Sequence, residues 1–83
     1  MGKIMPEDIT ALNMELFRSK LYFRLNLQED EETAVIEAQG GYDKLESACE
    51  LIRDYYMERG CWTIFGEDLK SFQLEAMESE FEF

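Results

Sequence analysis

The sequence predicts a single small α+β domain, in which an antiparallel β-sheet packs against one long helix and a further helix stands at the N-terminus. Three observations support this prediction. The chain has 83 residues, a length that suits one hydrophobic core. Some segments alternate apolar and polar residues, as half-buried strands do. Others repeat apolar residues at helical spacing. We therefore treat residues 1–83 as one domain with the element order α-β-β-α-β-β.

The first element, from Pro6 to about Ser19, is predicted to be a helix. Proline suits the first helical position, and Glu7 and Asp8 suit the positive end of the helix dipole. One apolar stripe recurs at helical spacing: Ile9, Leu12 and Leu16. A strand is the competing interpretation, because residues 12–16 also alternate apolar and polar side chains.

A β-hairpin is predicted next. Residues 21–27 place apolar side chains at every odd position, and residues 33–38 resume the alternation. Between them lies an acidic loop made of Glu29, Asp30, Glu31 and Glu32. Two alternating segments joined by a short polar loop indicate an antiparallel pair.

The strongest helical pattern follows Gly40 and Gly41. Its apolar stripe contains Leu45, Ala48, Cys49, Ile52, Tyr55 and Tyr56. Asp43 and Glu46 have the spacing of a capping box, and Gly60 suits the end of a helix. This stripe is expected to pack on the apolar face of the hairpin.

The last twenty residues allow two interpretations. Residues 62–65 resemble a strand, Gly66 begins a turn, and apolar residues then alternate from Phe72 to Ala76. This pattern favours a second hairpin. A final helix is the alternative, because Leu69, Phe72, Ala76 and Phe81 would share one helical face.

The charge is strongly acidic and unevenly distributed. The chain carries 19 Asp and Glu against 8 Lys and Arg, with no His and a net charge of −11. Residues 1–24 carry one more basic than acidic group, whereas residues 25–52 carry eight acids against Lys44 alone. Nucleic acids and anionic membranes require basic contacts, so direct binding to either is not expected. No apolar run is long enough to span a membrane, and we expect a cytoplasmic protein.

The usual chemical sites are not predicted. The acidic loop lacks the alternating ligands and central glycine of a calcium-binding EF-hand. Cys49 and Cys61 have no His to complete a zinc site, and a cytoplasmic setting argues against a disulfide between them. A carboxylate pair could perform acid–base chemistry, but so small a domain leaves little room for a deep pocket. We predict no catalytic residue, no metal and no cofactor.

A row of acids along the second helix is the most informative feature. Glu46, Glu50, Asp54 and Glu58 recur every fourth residue. Like charges at this spacing each destabilise a helix by a few tenths of a kcal/mol, offset in part by Arg53 beside Glu50. With the loop Glu29, Asp30, Glu31 and Glu32 and the turn Glu67 and Asp68, this row is our candidate partner-binding surface. An ordinary solvated acidic surface remains the alternative.

In these acidic segments the chain resembles the small acidic inhibitors of phages and mobile elements, including anti-CRISPR proteins and other DNA mimics. The resemblance implies a non-enzymatic inhibitor that binds the basic nucleic-acid-binding surface of a partner, such as a CRISPR effector or another defence enzyme, and blocks DNA or RNA binding. The alternative is an acidic interaction or adaptor module, which could be a homodimer. Its candidate anchors are the second face of the sheet and five aromatic residues: Tyr22, Tyr42, Trp62, Phe81 and Phe83.

Overall fold

A computed structural model describes residues 2–77 and contains two helices and four strands. In chain order these are α1 (Pro6–Arg18), β1 (Phe23–Leu27), β2 (Thr33–Ala38), α2 (Leu45–Met57), β3 (Cys61–Phe65) and β4 (Ser71–Ala76). The strands form one antiparallel sheet in the order β1-β2-β4-β3. The α+β class and the chain order of elements are confirmed. The order of strands within the sheet was not predicted.

Both helices cover the same face of the sheet. α1 packs on β1 and α2 packs on β3, and the two helices also contact each other. Most residues of the predicted stripes are buried: Ile9, Leu12 and Leu16 from α1, and Ala48, Cys49, Ile52 and Tyr56 from α2. The other two residues of the α2 stripe, Leu45 and Tyr55, are half-buried. The buried residues meet alternate residues of three strands: Phe23, Leu25, Ala34, Ile36, Phe72 and Leu74. The other face of the sheet is not covered by either helix, and Trp62 and Ile64 are exposed on it.

Three details of the predicted helices are wrong. The stripe of α2 was expected to pack on the first hairpin, but α2 packs on β3 and it is α1 that packs on β1. The sheet does not pack against one long helix, because α1 and α2 each have 13 residues and share the same face. The capping box of Asp43 and Glu46 is not formed. α2 begins at Leu45, with Lys44 at the N-cap position and no side-chain cap hydrogen bond. Glu46 is therefore two residues after the cap, whereas a capping box needs it three residues after.

The second hairpin is confirmed as far as Ala76, and a helix over residues 69–76 is wrong. The register places Thr63 opposite Leu74 and Phe65 opposite Phe72. Phe72 and Leu74 thereby lie on the core face of the sheet. In the alternative final helix, Leu69 and Phe72 would instead have shared one apolar stripe. Phe81 and Phe83 lie outside the described residues.

The two halves of the chain have the same construction. α1, β1 and β2 have 13, 5 and 6 residues, and α2, β3 and β4 repeat these lengths. A constant shift along the sequence carries Phe23 onto Cys61 and Ala34 onto Phe72, and Ala34 and Phe72 are themselves paired. The fold therefore has an approximate two-fold axis through this pair. The axis relates the backbones of the two halves, whose side chains differ.

The N-terminal segment joins the two halves. β2 and β4 pair through three residue pairs only. Beyond them Gly2 donates its backbone N–H to the carbonyl of Leu74, and Ile4 donates to the carbonyl of Glu31. Ile4 is 1% exposed. Residues 2–4 thus fill the space between the end of β4 and the turn that follows β1.

Candidate functional site

The acidic row on α2 is exposed along its whole length. Glu46, Glu50, Asp54 and Glu58 all lie on the solvent side, opposite the buried stripe. At 1.5 Å and 100° per residue, the row extends about 18 Å and turns through about 120° of the helix surface. Successive carboxylates are therefore about 6 Å apart along the axis. The row is a spiral line of charge.

The charges of α2 run against its dipole at the C-terminal end. α1 has Glu7 and Asp8 in its first turn and Arg18 in its last, the favourable order. α2 has no basic residue in its last turn, and Glu58 occupies its C-cap. Asp54 and Glu58 therefore lie where the helix dipole disfavours acids.

Two arginines lie beside the row, and one of its four carboxylates is ion-paired. Arg53 pairs with Asp54, with 3.6 Å between Nη2 and Oδ1, and not with Glu50 as the sequence suggested. Arg59 stacks over the Tyr55 ring, 3.7 Å from its centroid, and donates to the carbonyl of Tyr55. For Glu46, Glu50 and Glu58, the structure shows no ion pair within residues 2–77.

The acidic loop between β1 and β2 is a structured turn. Asp30 accepts hydrogen bonds from the backbone N–H groups of Glu32 and Thr33 and from the Thr33 hydroxyl. The backbone bond from Glu32 is the main cause that lowers the pKa of Asp30. Glu31 adopts a positive φ of 60° and pairs with Lys3 at 3.4 Å. These contacts give Asp30 and Glu31 structural roles, while Glu29 remains exposed.

The turn between β3 and β4 repeats this construction. Asp68 accepts the backbone N–H of Lys70, as Asp30 accepts that of Glu32, and Leu69 has the same positive φ as Glu31. The turn lies beside the N-terminal half of α2, where the Cys49 thiol donates to the carbonyl of Leu69 at 3.7 Å. Glu67 is exposed there.

The three predicted acidic groups do not all come together. Because β2 and β4 are antiparallel, the turn after β1 and the turn after β3 lie at opposite ends of the sheet. The turn carrying Glu67 and Asp68 adjoins the N-terminal half of α2 through its buried stripe, whereas the loop Glu29–Glu32 adjoins the N-terminal segment. The negative surface over α2 thus consists of the row alone.

An apolar groove, which the sequence did not predict, lies on the opposite side of the molecule. It lies between α1 and the free edge of β1 and has a volume of about 550 Å³. Phe17 and Tyr22 line it and are 73% and 54% exposed. Arg18 and Arg24 also line it. The available signal was the position of Met14 and Phe17, which are large, apolar and outside the buried stripe of α1.

Three ionisable side chains of α2 have a raised pKa: Cys49 and Tyr56 are buried, and Tyr55 is half-buried. Burial, aided by Glu46, raises the pKa of the Cys49 thiol to about 11. Burial and the hydrogen bond from Tyr55 Oη to Asp8, 2.8 Å long, raise the pKa of Tyr55. Burial also raises the pKa of Tyr56, whose hydroxyl has no hydrogen-bond partner within the described chain. Cys49 and Cys61 are both free thiols.

Within residues 2–77, no cluster of three or more Cys, Asp and Glu residues could hold a metal ion. Neither helix in the same range has the length and apolar character needed to cross a membrane.

In comparisons with known proteins, no family model, curated protein or solved structure matched this chain.

Proposed function

We propose that this chain is a non-enzymatic acidic inhibitor that binds the basic nucleic-acid-binding surface of a partner protein and keeps DNA or RNA out of it. The observation that carries the proposal is the position of Asp54 and Glu58 at the C-terminal end of α2. Acids there oppose the helix dipole, each at a cost of about 0.3–1 kcal/mol. A helix selected only for stability would carry Lys or Arg at these positions, as α1 carries Arg18.

The spacing of the row supports electrostatic recognition. Carboxylates about 6 Å apart on a helix present charge at roughly half the linear density of one DNA strand, which has a phosphate every 3.4 Å or so. Glu46, Glu50 and Glu58 have no ion pair in residues 2–77, so they are available to Lys and Arg of a partner. Oppositely charged surfaces speed association and make it sensitive to salt.

The resemblance to phage-encoded DNA mimics adds the class of partner. A CRISPR effector or another defence nuclease has the required basic channel, since such channels hold nucleic acid through its backbone. The chain would occupy part of that channel and compete with the natural ligand.

Three variants that each replace glutamates by glutamine test the proposal against a panel of purified defence nucleases. The first changes the row, with Glu46→Gln, Glu50→Gln and Glu58→Gln. The matched control removes the same charge elsewhere, with Glu15→Gln, Glu37→Gln and Glu75→Gln, all exposed. The third variant, Glu29→Gln with Glu32→Gln, measures the contribution of the loop.

Fluorescence anisotropy with labelled duplex DNA and labelled RNA gives the readout. We expect the wild-type chain to displace nucleic acid from a target, the row variant to lose at least tenfold in inhibition, and the control to stay within about twofold. Inhibition should also weaken as salt increases. Equal losses in the row variant and the control, or inhibition indifferent to salt, would remove the basis of the proposal.

A further inference from the structure

The two edge strands, β1 and β3, are related by the approximate two-fold axis, but they differ in how their outward-facing backbone groups are hydrogen-bonded. On β1, the backbone groups of Leu25 point away from β2 and both are occupied by one side chain. The Leu25 N–H donates to Asn13 Oδ1 at 2.8 Å, and Asn13 Nδ2 donates to the Leu25 carbonyl at 3.3 Å. Leu25 is only 2% exposed. The edge of β1 is therefore closed at its centre.

On β3, no corresponding cap is present. The backbone bonds from Gly66 to Ser71 and from Met77 to Gly60 fix the alternation of the β3–β4 ladder. In this alternation the N–H and C=O groups of Cys61, Thr63 and Phe65 point away from β4. No hydrogen bond from residues 2–77 reaches any of them.

The absence of a cap on β3 follows from one residue of α2. When the buried residues Ile9, Leu12 and Leu16 of α1 are aligned with Cys49, Ile52 and Tyr56 of α2, Asn13 corresponds to Arg53. Arg53 is exposed and pairs with Asp54 instead. Thr63, the counterpart of Leu25, is half-buried rather than fully covered.

β3 also lacks the other features that protect a strand edge. Its five residues, Cys-Trp-Thr-Ile-Phe, contain no charge and no proline, and most favour β-structure. This is unexpected in a chain with a net charge of −11. Two of the five, Trp62 and Ile64, are large, apolar and exposed on the uncovered face.

We propose that the β3 edge binds the β3 edge of a second copy of this chain, so that two four-stranded sheets join into one antiparallel sheet across a two-fold axis at Thr63. In this register Cys61 pairs with Phe65 of the other copy and Thr63 with Thr63. All the outward backbone groups of the strand are then used. Trp62 lies across from Ile64 of the other copy, a close cross-strand pair that occurs twice.

Charge supports a second copy as the occupant rather than an unrelated strand. No like charges meet within the paired strands, because β3 has none. Immediately beyond them the same register sets Arg59 of one copy against Glu67 of the other. The two-fold axis also brings both α2 helices to the same face beside the interface, where their acidic rows repel. Salt should therefore strengthen this dimer, whereas it should weaken the binding of a basic partner.

Sedimentation velocity over a wide range of concentration, at low and high salt, tests the dimer directly. We expect a monomer–dimer equilibrium that shifts toward dimer as salt increases. Trp62→Lys should weaken it by about tenfold, equivalent to roughly 1.4 kcal/mol. Val35→Lys, on the same face but in the central strand β2, should leave it within about twofold.

The register has its own test. A Trp62→Lys chain mixed with an Ile64→Glu chain should form a heterodimer tighter than either variant alone, because Lys and Glu then face each other. Thr63→Pro removes an outward donor without removing a hydrogen bond of the β3–β4 ladder, although it also replaces the half-buried threonine side chain. It should abolish dimerisation, with circular dichroism confirming the fold. If this variant does not fold, the mixing experiment still decides.

A chain that stays monomeric at all concentrations, a dimer unaffected by Trp62→Lys, or a dimer lost equally in Val35→Lys would overturn the proposal. If the chain stays monomeric, the remaining candidate occupant of the β3 edge is a strand of another protein. None of these outcomes bears on the proposed inhibition, which is read from nucleic-acid displacement.

Discussion

Asn13 holds both outward-facing backbone groups of Leu25, accepting the N–H and donating to the carbonyl through its single side-chain amide. A residue in the middle of a helix thus completes the hydrogen bonding of the edge strand below it. This contact fixes how far α1 extends over β1 and prevents another strand from adding there.

We predict that Asn13→Ala lowers the free energy of unfolding by about 1–3 kcal/mol, because it leaves two partly buried backbone groups without partners. The variant should also associate at high concentration through the opened edge of β1. Urea denaturation and light scattering measure the two effects. Met14→Ala, a neighbouring exposed position, should change the free energy of unfolding by less than about 0.5 kcal/mol. An Asn13→Ala chain as stable as the wild type would show that water replaces the amide without loss.

Removing an acid should have opposite effects at the ends of the two helices. We predict that Glu58→Gln stabilises the domain and Glu7→Gln destabilises it, each by about 0.3–1 kcal/mol at low salt. Glu58 follows the C-terminus of α2, whereas Glu7 lies in the first turn of α1. Thermal unfolding at low and high salt provides the measurement. Shifts of the same sign in both variants would contradict the dipole argument on which the proposed function depends.

The buried hydroxyl of Tyr56 should make the domain sensitive to alkaline pH. The pKa of Tyr56 is raised above its ordinary value of 10.0 by burial, so the folded state retains a proton that the unfolded state loses. The contribution to stability is present below pH 10 and is lost as pH rises above it. The Cys49 thiol, with a pKa of about 11 against an ordinary 9.0, acts in the same direction between pH 9 and 11.

Tyr56→Phe should therefore reduce the loss of stability above pH 10. At neutral pH it should leave the melting temperature unchanged or raise it, since the hydroxyl has no partner in residues 2–77. Tyr22→Phe, an exposed position, is the control and should behave as the wild type. An unchanged alkaline transition in Tyr56→Phe would exclude Tyr56 as its cause.

Within the acidic loop, Asp30 should matter for stability and Glu29 should not. Asp30→Ala removes three hydrogen bonds that close the turn, and its melting temperature should fall, while that of Glu29→Ala should not change. The pKa of Asp30 is lowered from 3.8. Its contribution is therefore present above that pH and disappears as the pH falls further. Equal melting temperatures for the two variants would show that the turn does not depend on its aspartate.

Much of the fold follows from local patterns. The alternation over residues 33–38 predicts β2 with its bounds as found. The stripes of α1 and α2 predict the buried residues of both helices, except that Leu45 and Tyr55 are half-buried. These predictions succeed because burial on one face imposes a period of two on a strand and of 3.6 on a helix.

The remaining features depend on contacts distant in sequence. Asn13 is a polar residue on a helix, and nothing nearby in sequence distinguishes it from a solvated one. The separation of the loop Glu29–Glu32 from Glu67 and Asp68 follows from the antiparallel pairing of β2 with β4. That pairing sets the strand order, which local periodicity does not specify. For the same reason the sequence identified the acidic row on α2 but not the open edge of β3.

The placement of Gly2 and Ile4 has a consequence for biosynthesis. Ile4 donates to the turn after β1, and Gly2 contacts Leu74 in the last strand. During translation, residues 2–4 have no β4 to pair with until that strand has left the ribosome. Although they precede every helix and strand of the domain, they are therefore among its last residues to reach their native contacts, and the first half of the domain keeps an incomplete sheet until then.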